Sequence, residues 1–135
     1  MSFVLDSSVT LAWVYLDELT PATLRLSEMV GQSGAWVPLI WRLEVANSLQ
    51  NSIRQRRIDA AFRDKALADL SALKIETDEE TNAYAWSATL QIADQLRLTP
   101  YDASYLELAQ RRQLPLATLD KELRGAGKKI GIPLL

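Results

Sequence analysis

LTPYDASYLELAQRRQLPLATLD, running from Leu98 to Asp120, is the stretch that decides how this chain folds. Thr99 and Pro100 mark a helix start, with threonine at the N-cap and proline at the first helical position. Tyr101, Tyr105, Leu108 and Ala109 recur at helical spacing and give that helix one apolar face. Gln113-Leu114-Pro115 ends it, and Leu116-Ala117-Thr118-Leu119 reads as a short buried strand. Two acids bracket the unit, Asp102 in the first helical turn and Asp120 just past the strand. A strand feeding a site at its carboxyl end, beside a helix that opens with an acid, is a common construction in open α/β proteins.

Outward from this unit, the same alternation recurs. Phe3-Val4-Leu5 predicts a first strand with Asp6 at its end, and Ser7 or Ser8 can cap a helix carrying Val9, Ala12, Trp13 and Leu16 inward. Thr20-Pro21 opens a second helix with Ala22, Leu26, Met29 and Val30 on its buried face, stopped by Gly31 and Gly34. Trp36-Val37 reads as a second strand. A helix from about Leu39 to Gln55 follows, with Val45, Ala46, Leu49 and Ile53 inward and Glu44 beside the apolar stripe. Asp59 caps another helix, on which Phe62, Ala66, Leu70 and Leu73 share a face. Lys74-Ile75-Glu76 is a weak third strand, and Thr77 with Glu80 has capping-box spacing for a helix with Ala83, Trp86, Leu90 and Ala93 inward. After the central stretch come a short helix over Lys121 to Arg124, a Gly125-Ala126-Gly127 break and a last strand over Ile132 to Leu135. Short apolar strands separated by helices predict one parallel sheet covered on both faces, in a single domain over residues 1–135.

Composition prunes the chemistry. The sequence has no cysteine and no histidine, which removes thiol and imidazole nucleophiles, imidazole acid–base pairs and Cys/His zinc sites. Carboxylates, hydroxyls, lysines or a bound metal remain. No disulfide framework, no membrane-length apolar run and no signal-like leader before the first strand give a cytoplasmic location as the expectation. The formal charge of −2 does not exclude a nucleic-acid partner, because four acids gathered in one cavity would leave the remaining surface near +2.

Each acid has a plain structural explanation. Asp102 occupies the N3 slot after Thr99, and Asp120 suits an N-cap, so both can simply complement a helix dipole and its free amides. Glu44 read alone is a solvated helix position. Asp6 is harder to dismiss, because Ser7 and Ser8 already offer caps. Taken jointly the four point elsewhere. Carboxyl ends of parallel strands share one edge, so Asp6 and Asp120 are neighbours if their strands are adjacent, with Asp102 and Glu44 on helices leaving that edge. Carboxylates converging without cationic partners repel unless a positive charge sits among them, and hard oxygen ligands suit Mg²⁺ or Mn²⁺. Such a cage is a phosphoryl-transfer site.

Four segments carry a family resemblance: VLDSSV at Val4 to Val9, VPLIWRLEVANSL at Val37 to Leu49, LTPYDASYLELA at Leu98 to Ala109, and LPLATLDKEL at Leu114 to Leu123. Together, in this order and spacing, the chain resembles the PIN-domain nucleases, and most closely the VapC-type toxins of toxin–antitoxin pairs. The resemblance implies a three-layer α/β/α domain acting as an Mg²⁺- or Mn²⁺-dependent endoribonuclease that hydrolyses RNA phosphodiesters with a metal-activated water. The family's acids match Asp6, Glu44, Asp102 and Asp120, all implied metal ligands. Thr118 matches its small hydroxyl residue, which orients a carboxylate or water, and Ser7 beside the first acid is expected to do likewise. A homodimer and an antitoxin whose tail occupies the acidic groove are also implied.

Other positions read more plainly. Arg54, Arg56, Arg57, Arg111 and Arg112 can track phosphates, but arginines on outer helix faces are usually solvated. Trp13, Trp36, Trp41 and Trp86 are expected as core or interface anchors rather than base-stacking platforms. An aspartyl-phosphate phosphatase with Asp6 as nucleophile would place a second aspartate at position 8, where Ser8 stands. A binding or scaffold module without turnover would be signalled by loss of one of the acids, and all are present.

Overall fold

The computed structural model describes residues 1–135. Four strands form one parallel sheet: β1 (Phe3–Leu5), β2 (Ala35–Val37), β3 (Ile75–Thr77) and β4 (Leu116–Ala117), in the order β3-β2-β1-β4. Phe3, Val4 and Leu5 are wholly buried, the pattern of a central strand covered on both faces. Val4 pairs with Trp36 on one side and Leu116 on the other, and Leu5 with Ala117. Helices cover both faces, giving a three-layer α/β/α domain.

The helices are α1 (Ser7–Val14), α2 (Pro21–Ser33), α3 (Trp41–Arg54), α4 (Ala60–Ser71), α5 (Thr81–Tyr84), α6 (Ala88–Leu96), α7 (Pro100–Arg112) and α8 (Lys121–Lys129). α7 is the central one. It lies against β1 and β4, α5 and α6 pack beside it, and Ala103 through Ala109 are all buried. Thr99 caps it as the sequence predicts, its hydroxyl accepting from the Asp102 amide at 3.2 Å. α1 packs with α2 and α3. Gly34 turns α2 into β2 with φ of 76°, and a Cβ there would meet the Lys74 carbonyl oxygen at 3.1 Å.

Several local expectations are corrected. Gly31 does not stop α2, which runs to Ser33. α1 ends at Val14, and Leu16 begins a 3-10 turn (Leu16–Glu18) with its side chain exposed. Thr77 lies in β3, so the predicted capping box is absent. Asp78 organises that turn instead, accepting from the Glu80 amide and the Thr81 hydroxyl. The helix expected through Trp86 breaks at Ser87, leaving Trp86 91% exposed. Beyond the break the inward positions become Thr89, Ile92 and Ala93, not Leu90. The 116–119 strand covers only Leu116–Ala117, and Leu119 is exposed. Gly125 and Gly127 do not break α8: Leu123, Ala126 and Gly127 form its buried face, with the Leu134 side chain seated over Gly127. The last strand reduces to a single parallel bridge, Leu116 to Leu134.

Candidate active site

The strand order reverses at β1: β2 and β3 lie to one side and β4, last in sequence, to the other. In open α/β sheets the crevice outside the strand ends at such a switch point is where ligands bind. Asp6 follows β1 and Thr118 follows β4, and the ladder brings them together, with the Asp6 amide donating to the Ala117 carbonyl at 3.0 Å. The Thr118 hydroxyl donates to Asp6 Oδ2 at 2.7 Å and the Ser8 hydroxyl to the same oxygen at 2.6 Å. Thr118 also accepts from the Asp120 amide at 3.0 Å, and Ser8 from the Leu119 amide at 2.9 Å. Asp6 thereby has one oxygen fixed by two hydroxyls and the other free of protein donors. Ser7, nominated by adjacency, makes no hydrogen bond to a carboxylate; Ser8 holds that place. Both serines were equally available as caps in the sequence, and nothing local separates them.

Glu44 and Asp102 approach from α3 and α7. Tyr105, one turn along α7 from Asp102 and wholly buried, donates its hydroxyl to Glu44 Oε1 at 2.5 Å. Burial raises the Glu44 carboxyl, the Tyr105 hydrogen bond opposes this, and the charges of Asp6 and Asp102 raise it further. Asp102 is raised first by burial, then by Asp120, Asp6 and Glu122. Its carboxylate accepts no hydrogen bond; only its amide serves the Thr99 cap. Tyr105 is pushed well up by burial and then by the Glu44 and Asp6 charges, so the phenol keeps its proton and acts as a donor.

Asp120 fulfils its plain reading, since one oxygen caps α8 through the Glu122 and Leu123 amides at 2.9 and 3.1 Å. Its charge nonetheless reaches Asp102. None of the four acids, of which Asp6 is buried, Glu44 and Asp102 are half-buried and Asp120 is exposed, forms an ion pair, whereas the two buried acids outside the set do. Asp78, 0% exposed, and Glu107, 4% exposed, are held by Arg111, with Arg112 also on Asp78. Asp6, 5% exposed, has no cation.

An all-carboxylate donor set without a cationic partner fits a hard divalent cation by its chemistry. As placed, though, no three of the side chains form a group that would hold one ion in common. One oxygen of Asp120 serves its helix cap and one oxygen of Glu44 accepts from Tyr105, so each keeps its other oxygen free of protein donors.

The arginines and tryptophans divide differently from expectation. Arg111 and Arg112 are neither solvated nor free for phosphate: Arg111 stacks on Tyr84 and Arg112 on Trp36 within the Asp78 network. Arg57 pairs with Asp17 and Glu18 over the Tyr15 ring. Trp41 and Trp13 are anchors, donating to the Thr10 hydroxyl and the Thr23 carbonyl. No helix is long and apolar enough to cross a membrane.

No curated protein matches the chain. Among solved structures, the crystal structure of PAE2754 from Pyrobaculum aerophilum superposes with a TM-score of 0.72 at 23% identity, covering 99% of this chain and 89% of that one, which shows a shared fold. The family model of the PIN domain matches residues 3–129. The chain therefore belongs to the PIN-domain family, whose members are generally nucleases.

Proposed function

We propose that this protein is an endoribonuclease of the VapC type, dependent on Mg²⁺ or Mn²⁺, and the toxin of a toxin–antitoxin pair. The observation that carries the reading is the contrast between two sets of acids. The chain neutralises Asp78 and Glu107 with arginine, yet leaves the buried Asp6 and the half-buried Glu44 and Asp102 unpaired at the switch-point edge, with Asp120 beside them. Asp6, Glu44 and Asp102 each keep at least one oxygen free of protein donors, and in this reading they would hold the cation together with the second oxygen of Asp120. When bound, the ion lowers the pKa of water and offsets negative charge on the phosphate. The protein's own part is preorganisation. Ser8 and Thr118 fix Asp6, the Asp120 amide fixes Thr118, and the cap on α8 fixes Asp120. A phosphodiester entering this acidic crevice unaided would be repelled.

Cleavage of an RNA oligonucleotide pool tests the reading. Activity should disappear in excess EDTA, return with Mg²⁺ or Mn²⁺, and fall by at least about a hundredfold in Asp6→Asn, the scale set by loss of a preorganised charged group. Full-rate cleavage in EDTA rejects it.

The same reading proposes two partners. Leu39, Leu43 and Tyr101 are exposed around one shallow groove beside Ala85, a face suited to a second copy of the chain. The unpaired acids invite an arginine from a protein inhibitor, whose planar fork matches carboxylates. A neighbour-encoded small protein should co-purify with a two-copy assembly; isolation of the chain alone as a monomer from its native operon would contradict both.

A further inference from the structure

Tyr105 is the point where the two helices bearing acids are tied together. Its ring is wholly buried on α7, and its hydroxyl donates across to Glu44 Oε1 on α3 at 2.5 Å, within the range of charge-assisted O–H···O⁻ bonds. Asp102 lies three residues before it, on the same side of α7, so one rigid turn of helix carries both an acid and the donor that holds another. A buried phenol needs a partner, and a neutral one suffices elsewhere in this molecule: the Tyr15 hydroxyl is satisfied by Ser52 at 2.6 Å. At Tyr105 the partner is instead a half-buried carboxylate with no cation. The bond fixes one oxygen of Glu44 and leaves Oε2 without a protein donor, much as Thr118 and Ser8 fix one oxygen of Asp6 and leave the other.

We infer that Tyr105 is a positioning residue for the acidic site, setting the orientation of Glu44 towards a divalent cation through its phenol hydroxyl. This rests on the proposed cation dependence. Groups one step removed from ligands commonly govern metal affinity by roughly ten- to a hundredfold. Tyr105→Phe deletes the hydroxyl and keeps the buried ring, so the fold is expected to survive, as a melting curve without metal will show.

The experiment is a Mn²⁺ titration of four proteins: parent, Tyr105→Phe, Glu44→Gln and the double variant. Tyr105→Phe should weaken Mn²⁺ binding by about tenfold or more in the parent background and have little further effect once Glu44 is glutamine, because hydroxyl and carboxylate act as one unit. Under saturating Mn²⁺, kcat for RNA should recover towards the parent value more fully in Tyr105→Phe than in Glu44→Gln. Equal loss of affinity from Tyr105→Phe in both backgrounds assigns the hydroxyl a general structural role and overturns the inference. Unchanged affinity in Tyr105→Phe, with the parent binding Mn²⁺ normally, overturns it while leaving the functional reading intact. A parent that takes up no Mn²⁺ overturns both.

Discussion

Asp6 and Asp78 are both buried carboxylates following strands, and the chain treats them in opposite ways. Burial alone would raise Asp78, but the Arg111 and Thr81 hydrogen bonds outweigh it and hold that carboxyl below the usual range. Glu44 and Asp102 have no such relief and are raised. The two kinds of group pull stability in opposite directions with pH. An acid with a depressed folded pKa stabilises above its unfolded value, and that contribution is lost as pH falls through the folded one. An acid with a raised folded pKa binds its proton more tightly in the native state, so native stability falls as pH climbs from the ordinary value to the raised one. The starting points are 3.8 for Asp102 and 4.5 for Glu44. Asp102→Asn should therefore exceed the metal-free parent in stability at neutral pH, and the advantage should shrink to nothing as pH drops below about 4. Urea unfolding in EDTA across that range checks this; an advantage of constant size at every pH would remove its electrostatic origin.

At the scale of elements, what the sequence announced was what neighbours within a turn determine. Thr99-Pro100, Thr20-Pro21 and Asp59 cap their helices as predicted, because a cap is satisfied by an amide two or three residues away. The breaks were less legible. The helix through Ala83 and Leu90 has unbroken apolar spacing, yet it divides at Ser87, and nothing local distinguishes Trp86 as the residue left outside. Gly125 and Gly127 looked like a stop, but helix propensity is a weak term, and packing of Leu134 onto Gly127 fits a residue without a side chain there. Arg111 and Arg112 were misjudged for a related reason: Asp78 lies more than thirty residues away, and an ion pair of that span leaves no periodic trace. The Tyr105–Glu44 bond spans 61 residues and was equally invisible.

The whole molecule supplies what none of its parts contains. Strand order β3-β2-β1-β4 makes the ends of the first and last strands neighbours, so Asp6 meets Thr118 across 112 residues. That adjacency was conditional in the sequence, where the positions of the acids could be read but not which strands pair. The fold brings four uncompensated acids to one edge and fixes Asp6 with hydroxyls, Glu44 with a phenol and Asp120 through a helix cap rather than with cations. Holding like charges together costs folding free energy unless a cation is shared. The most direct test of this account is thermal melting of the parent and of Asp102→Asn, each in EDTA and in Mn²⁺. In EDTA the variant should melt higher. Mn²⁺ should raise the parent, by about 2.7 kcal/mol of stability at a hundredfold excess over its dissociation constant, and raise the variant less. If the variant melts lower in EDTA and Mn²⁺ shifts neither protein, Asp102 is a helix-dipole partner and the acids are not a cation site.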